Sequence, residues 1–112
     1  MNEYAGNDFY CDRIFSGLEN VQVEVKTENV LAFRHTRPAW TFHVVVVPKR
    51  HVPDLSSLDP ALACELLLAI QEVIKKYDLS ASAYRIVTNG GSFQDSKHLH
   101  FHILSGKKMA AV

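Results

Sequence analysis

The 112-residue chain lacks an excess of either charge: twelve Lys and Arg balance twelve Asp and Glu. A general binder of phosphate backbones needs a basic face and usually a basic total, so broad nucleic-acid binding is excluded, whereas a locally basic cleft is not. Cysteine is scarce. Cys11 and Cys64 form no CxxC pair and are too few for a disulfide framework, which fits reduced thiols in a cytoplasmic protein. Long hydrophobic runs are missing too. Phe42 to Val47 and Ala61 to Ile70 are each interrupted by a polar residue or too short to span a bilayer. The first residues, MNEYAGNDFYCDR, are polar and acidic and lack the pattern of a signal peptide. A soluble protein with no membrane association is expected. Repeats and low-complexity segments are also absent.

What is present is an ordinary apolar content of 47% and an unusual six histidines. The apolar fraction with zero net charge excludes disorder. The length suits one domain over residues 1–112, burying roughly two-thirds of its unfolded surface.

Residues 9–17 (FYCDRIFSG) predict one or two helical turns with Gly17 as C-cap. Val21, Val23 and Val25 alternate with Gln22, Glu24 and Lys26, a half-buried strand. A polar turn at 27–29 and a strand at 30–34 complete a hairpin, which Pro38 interrupts. Residues 42–47 (FHVVVV) are the strongest strand signal, because four β-branched residues restrict χ1 and suit a doubly buried sheet. After a polar loop at 49–58, Asp59 and Pro60 start a helix over 60–77. Leu62, Leu66, Ile70, Val73, Ile74 and Tyr77 form its apolar face, and Glu72 with Lys76 its exposed pair. Strands are expected at 83–88 and 98–104, with a loop from Asn89 to Lys97 between them and SGKKMAAV as a tail. Consecutive strands without intervening helices favour antiparallel pairing, so the class is α+β: a five-stranded antiparallel sheet, one long helix and a short N-terminal helix. One helix covers one sheet face; a partner subunit is expected over the other.

His98, His100 and His102 alternate, which places three imidazoles on one strand face, roughly 6.6 Å apart, and Leu99, Phe101 and Ile103 on the other. The apolar side should face the core, leaving the histidines to solvent, a ligand or a metal. Three roles compete. The histidines could be polar fillers bonded to backbone. They could be ligands of zinc or copper, completed by His43 or His51. Or they could be catalytic: a neutral imidazole attacks phosphorus and leaves again, splitting a displacement in two, while its neighbours hold its tautomer and supply a proton.

HLHFHIL resembles the His-x-His-x-His-x-x signature of the histidine-triad (HIT) family. The likeness extends over residues 9–106: DRIFSG, the run VLAFRHTRPAWTFHVVVVPKRHV with its Pro-Lys-x-His, and YRIVTNGG before the triad. It implies an enzyme that binds a purine nucleoside monophosphate moiety and cleaves a bond at its α-phosphate, as a phosphoramidase or a dinucleoside polyphosphate hydrolase. His100 would be the nucleophile that forms a nucleotidyl-histidine, flanked by His98 and His102, with His43 on a neighbouring strand. Ile14, Phe15 and Phe33 fall where the family packs the base, and Asn89, Gln94 and Ser96 where it contacts ribose or phosphate. Glycines 90 and 91 could add backbone donors. A homodimer is implied and no cofactor.

Departures are visible. His35 stands where the family usually has an aspartate that grips the ribose hydroxyls, and Asp95 where a phosphate-binding serine or threonine is common. The N-terminal cysteine pair that some members use for zinc is replaced by Cys11 alone, so no structural metal is expected. A nucleotide-binding protein of the same fold with weak or no catalysis is the alternative.

Overall fold

The computed structural model describes residues 8–17 and 20–109. Five strands, β1 (Val23–Lys26), β2 (Val30–Arg34), β3 (Trp40–Pro48), β4 (Arg85–Thr88) and β5 (Phe101–Lys108), form one antiparallel sheet in the order β1-β2-β3-β5-β4. Helix α1 (Pro60–Lys76) connects β3 to the edge strand β4. No helix among the described residues is long and apolar enough to cross a membrane.

The valine run explains the layering. Alternation sends Val44 and Val46 to one side, where they pack with Leu62, Leu66, Ala69, Ile70 and Val73 of α1, and with Leu99 and Ile103. Val45 and Val47 point to the other side, against Leu31, Phe33, Tyr10 and Ile14. The Asp59 carboxylate caps the helix by accepting the Leu62 N–H at 3.0 Å, and Pro60 takes the first turn, where its missing N–H costs nothing.

The second face is covered from within the chain. Residues Tyr10–Ile14 make a π-helical turn that buries Tyr10 and Ile14 on the sheet and ends at Gly17 with φ of +83°. The cover expected from a partner is therefore supplied in part by the N-terminal segment.

Several boundaries differ from expectation. β5 starts at Phe101 rather than at 98, because Leu99 already bonds outside the sheet: its N–H donates to the Val52 carbonyl at 2.7 Å. It also continues to Lys108, so Ser105–Lys108 are strand and not tail, paired with the start of β3 through a bulge. Gly106 takes φ of +78° there, beside the Thr41 side chain. β4 begins at Arg85 instead of 83. In β1 a bulge between Val23 and Val25 breaks the alternation. Glu24, expected among the exposed polar residues, instead accepts from Arg34, Tyr77 and Lys76, the last at 2.8 Å. Lys76 thus reaches across to β1. Those donors outweigh the effect of burial and push Glu24 down to about 2.

Candidate active site

The histidines gather on the face away from α1. His98, His100, His102 and His43 are all buried, and the predicted shared face of the triad holds, with Leu99 and Ile103 in the helix-side core. Of the solvent, ligand or metal that the face was expected to meet, it is not solvent that covers these buried rings. The Tyr10 ring lies over it, 5.5 Å from the His98 ring and 5.1 Å from that of His100, and Phe15 lies 5.6 Å from His98. Tyr10 is the residue that sequence reasoning missed; its only local sign was a place in the aromatic pair next to Cys11. Burial, and then the Asp95 and Asp8 charges, raise its hydroxyl beyond the usual range, so it stays neutral.

Backbone groups decide the tautomers, because an amide N–H only donates and a carbonyl only accepts. The His100 Nδ1–H donates to the His98 carbonyl at 2.8 Å, which leaves the Nε2 lone pair free. His43 Nδ1 accepts the Ala39 N–H at 3.0 Å, so its proton sits on Nε2, from which it donates to His102 Nδ1 at 2.8 Å. His102 then carries its own proton on Nε2. His35 Nδ1 accepts the Arg37 N–H at 2.9 Å, so it too is an Nε2–H tautomer, with its ring 4.4 Å from that of His43.

These imidazoles resist protonation. Burial, followed by the charge His35 would carry, pushes His43 down to about 4. Burial, then the His100, His43 and His35 neighbours, pushes His102 down to about 3. His35 and His100 are lowered chiefly by burial as well; the Asp95 carboxylate partly offsets this at His100. A neutral cluster with an unprotonated Nε2 on His100 suits attack on an electrophile. An arriving anion would raise the basicity of every ring around it.

The other predicted residues divide. Ile14 and Phe33 are packed in the core of this face, and Phe15 is partly buried beside them. Gln94 and Ser96 are buried as structural ties: the Gln94 amide donates to the Pro53 carbonyl at 2.7 Å, and Ser96 Oγ accepts the Phe9 N–H at 3.1 Å. Asn89 and Gly90 line a shallow groove with Thr88 and residues Asp54–Ser56, which no triad histidine lines. Gly91 has φ of +60°, a turn conformation.

Among the described residues, two clusters bring metal-ligand atoms together: His35, His43 and His102, and separately Asp8, Cys11, His51 and His98. In the first, backbone N–H groups occupy the Nδ1 atoms of His35 and His43, the Nε2 atoms carry protons, and the His102 Nδ1 lone pair is taken by the His43 Nε2–H. That arrangement fits no metal. In the second, the His98 Nε2–H donates to the Pro48 carbonyl at 2.7 Å, which leaves Nδ1 turned to the Asp8 carboxylate at 3.2 Å and the Cys11 sulfur at 3.4 Å. His51 Nδ1 also meets Asp8. Cys11, alone in the sequence, is not alone in the fold. Burial and the adjacent Asp8 raise its thiol to about 11.

Comparison with known proteins agrees with this fold. The HIT domain model matches residues 19–109. An uncharacterized HIT-like protein of Helicobacter pylori strain 26695 is 35% identical over 86 residues, covering 75% of this chain and 83% of its own. The crystal structure of a HIT family hydrolase from Legionella pneumophila Philadelphia 1 superposes with a TM-score of 0.80 at 29% identity, covering 93% of this chain and 96% of its own. A histidine triad protein from Clostridium difficile gives 0.79 at 28% identity, covering 98% and 99%. With its buried in-register histidines on an antiparallel sheet, the chain belongs to the HIT domain family.

Proposed function

We propose that the protein is a nucleotidyl hydrolase or transferase acting at the α-phosphate of a purine nucleoside monophosphate moiety, as a phosphoramidase or a dinucleoside polyphosphate hydrolase. The observation that carries this reading is the tautomer of His100. Its Nδ1–H is tied to a backbone carbonyl, and its Nε2 lone pair lies beside the His43–His102 pair. The likeness to proteins described as HIT family hydrolases supports it.

In the first step His100 Nε2 attacks the α-phosphorus, forming the N–P bond as the bond to the leaving group breaks. The phosphoryl anion raises the basicity of the His43–His102 pair, which takes up one proton and passes it to the leaving group. In the second step water attacks the nucleotidyl-histidine, the N–P bond breaks, and the pair takes the water proton. Phe15 and the Tyr10 ring are available to the base. A second copy of the chain fits the same reading: Leu67 and Leu68 of α1, and Ile86 on the edge strand β4, leave large apolar side chains exposed. Sedimentation at micromolar concentration should then give twice the chain mass.

The test is turnover of an adenosine phosphoramidate and a diadenosine polyphosphate, with acid-quenched trapping of the adduct. His100→Ala should abolish both turnover and adduct. Full turnover by that variant would overturn the assignment. A second reading, binding without catalysis, is favoured by His35, an Nε2–H donor packed on His43 in place of an acidic side chain. AMP binding in calorimetry without hydrolysis of either substrate would select it.

A further inference from the structure

We propose that His35 is a positioning residue for the phosphoryl transfer: a third ring packed on the His43–His102 pair, which holds those rings in line and leaves them no counter-ion but the substrate phosphate. This role rests on the nucleotidyl-transfer reading and deepens it.

Backbone groups place His35. Its N–H donates to the His43 carbonyl at 2.9 Å, one rung past the Arg34–Val44 partners, so His35 and His43 are direct cross-strand neighbours on one face. The turn between them reaches back with two amides: the Arg37 N–H donates to His35 Nδ1 at 2.9 Å and the Ala39 N–H to His43 Nδ1 at 3.0 Å. Both rings are thus pinned at Nδ1, with centroids 4.4 Å apart and planes 34° apart. The His35 ring also stacks on that of His102, at 5.9 Å and 26°. An imidazole can swing about its bond to Cβ. A third ring packed against both members of the pair removes that freedom and keeps the His43 Nε2–H aimed at His102 Nδ1.

The same packing sets the charge. Imidazoles that move protons are commonly oriented by a carboxylate, which also stabilises the protonated ring. Among the described residues no carboxylate bonds to His35, His43 or His102. The groups that face them are each other, His100, and the Arg37 and Ala39 amides, which only donate. The Asp95 carboxylate acts on His100, and the Tyr10 hydroxyl over that ring is neutral. Half-buried His35 supplies no negative charge, so a proton enters the pair only when an anion arrives beside it.

Asparagine and aspartate at position 35 separate alignment from charge. Either side chain can accept the Arg37 N–H two residues on, as an Asx turn; both lack the ring, and they differ by one charge. Nitrogen-15 spectra of the histidine rings, recorded against pH without ligand, read each tautomer and each protonation. In the parent chain His35, His43 and His102 should all be Nε2–H tautomers. The His43–His102 pair should titrate about 1–3 pH units higher in His35→Asp than in His35→Asn. On an adenosine phosphoramidate, His35→Asn should lower kcat about 10–100-fold with KM within about twofold of the parent. Equal midpoints in the two variants would overturn the role. So would an Nδ1–H tautomer of His35 in the parent, or a raised KM at unchanged kcat in His35→Asn, the mark of a substrate contact. Turnover of neither the phosphoramidate nor a diadenosine polyphosphate by the parent chain overturns the reaction itself, an outcome distinct from the ring spectra.

Discussion

Acid should unfold this protein through two histidines that the fold keeps neutral. His43 and His102 are depressed from an ordinary 6.5 to about 4 and about 3. The unfolded chain takes up a proton on each as pH drops through about 6.5, while the folded chain refuses it until about 4 and 3. Stability is therefore fully present above about 6.5 and is lost as pH falls toward 4 and 3. At about 1.4 kcal/mol per unit, moving from about pH 8 to about pH 5 costs each group about 2 kcal/mol, or about 4 together. That is a large part of the 5–15 kcal/mol typical of a domain. Urea unfolding at the two pH values measures it directly. The double variant His43→Gln/His102→Gln, which cannot titrate, should lose about 4 kcal/mol of the pH dependence even if it is less stable at pH 8. Equal free energies at both pH values in the parent chain, or the same slope in the double variant, would refute the reasoning. The two imidazoles would then titrate as they do in water.

Other outcomes follow from single contacts. Gly106→Ala puts a Cβ 2.0 Å from Thr41 Oγ1 at a φ of +78°, so denaturant unfolding should show a loss of about 2–3 kcal/mol. Tyr10→Ala removes a buried ring from the second core and from its seat over His98 and His100; it should cost about 3–5 kcal/mol, whereas Tyr10→Phe keeps the packing. Asp59→Ala deletes the helix cap and should lower the thermal midpoint.

Much of the fold was legible in the sequence because its signals are local. The valine run, the Asp59–Pro60 start and the period of α1 each specify their own element, and alternation alone put His98, His100 and His102 on one face. The misread boundaries all depend on distant partners. Ser105–Lys108 are strand because β3 is there to pair with them, and Glu24 turns toward α1 because of a bulge and the Arg34, Lys76 and Tyr77 groups waiting for it.

The site divides the same way. The sequence by itself determined the triad, by residue type and a spacing of two, and with the surrounding motifs its resemblance to the family; the expectation that His100 is the nucleophile comes with that resemblance. Only the tertiary structure decided which nitrogen of each imidazole carries the proton, because the Ala39, Arg37, His98 and Pro48 backbone groups that settle it arrive with the fold. Only it brought Asp8 to His98, 90 residues away, and laid Tyr10 across the histidines. A spacing of two or four is written into a strand or helix. A meeting across 90 residues exists only once two cores have packed on opposite faces of one sheet.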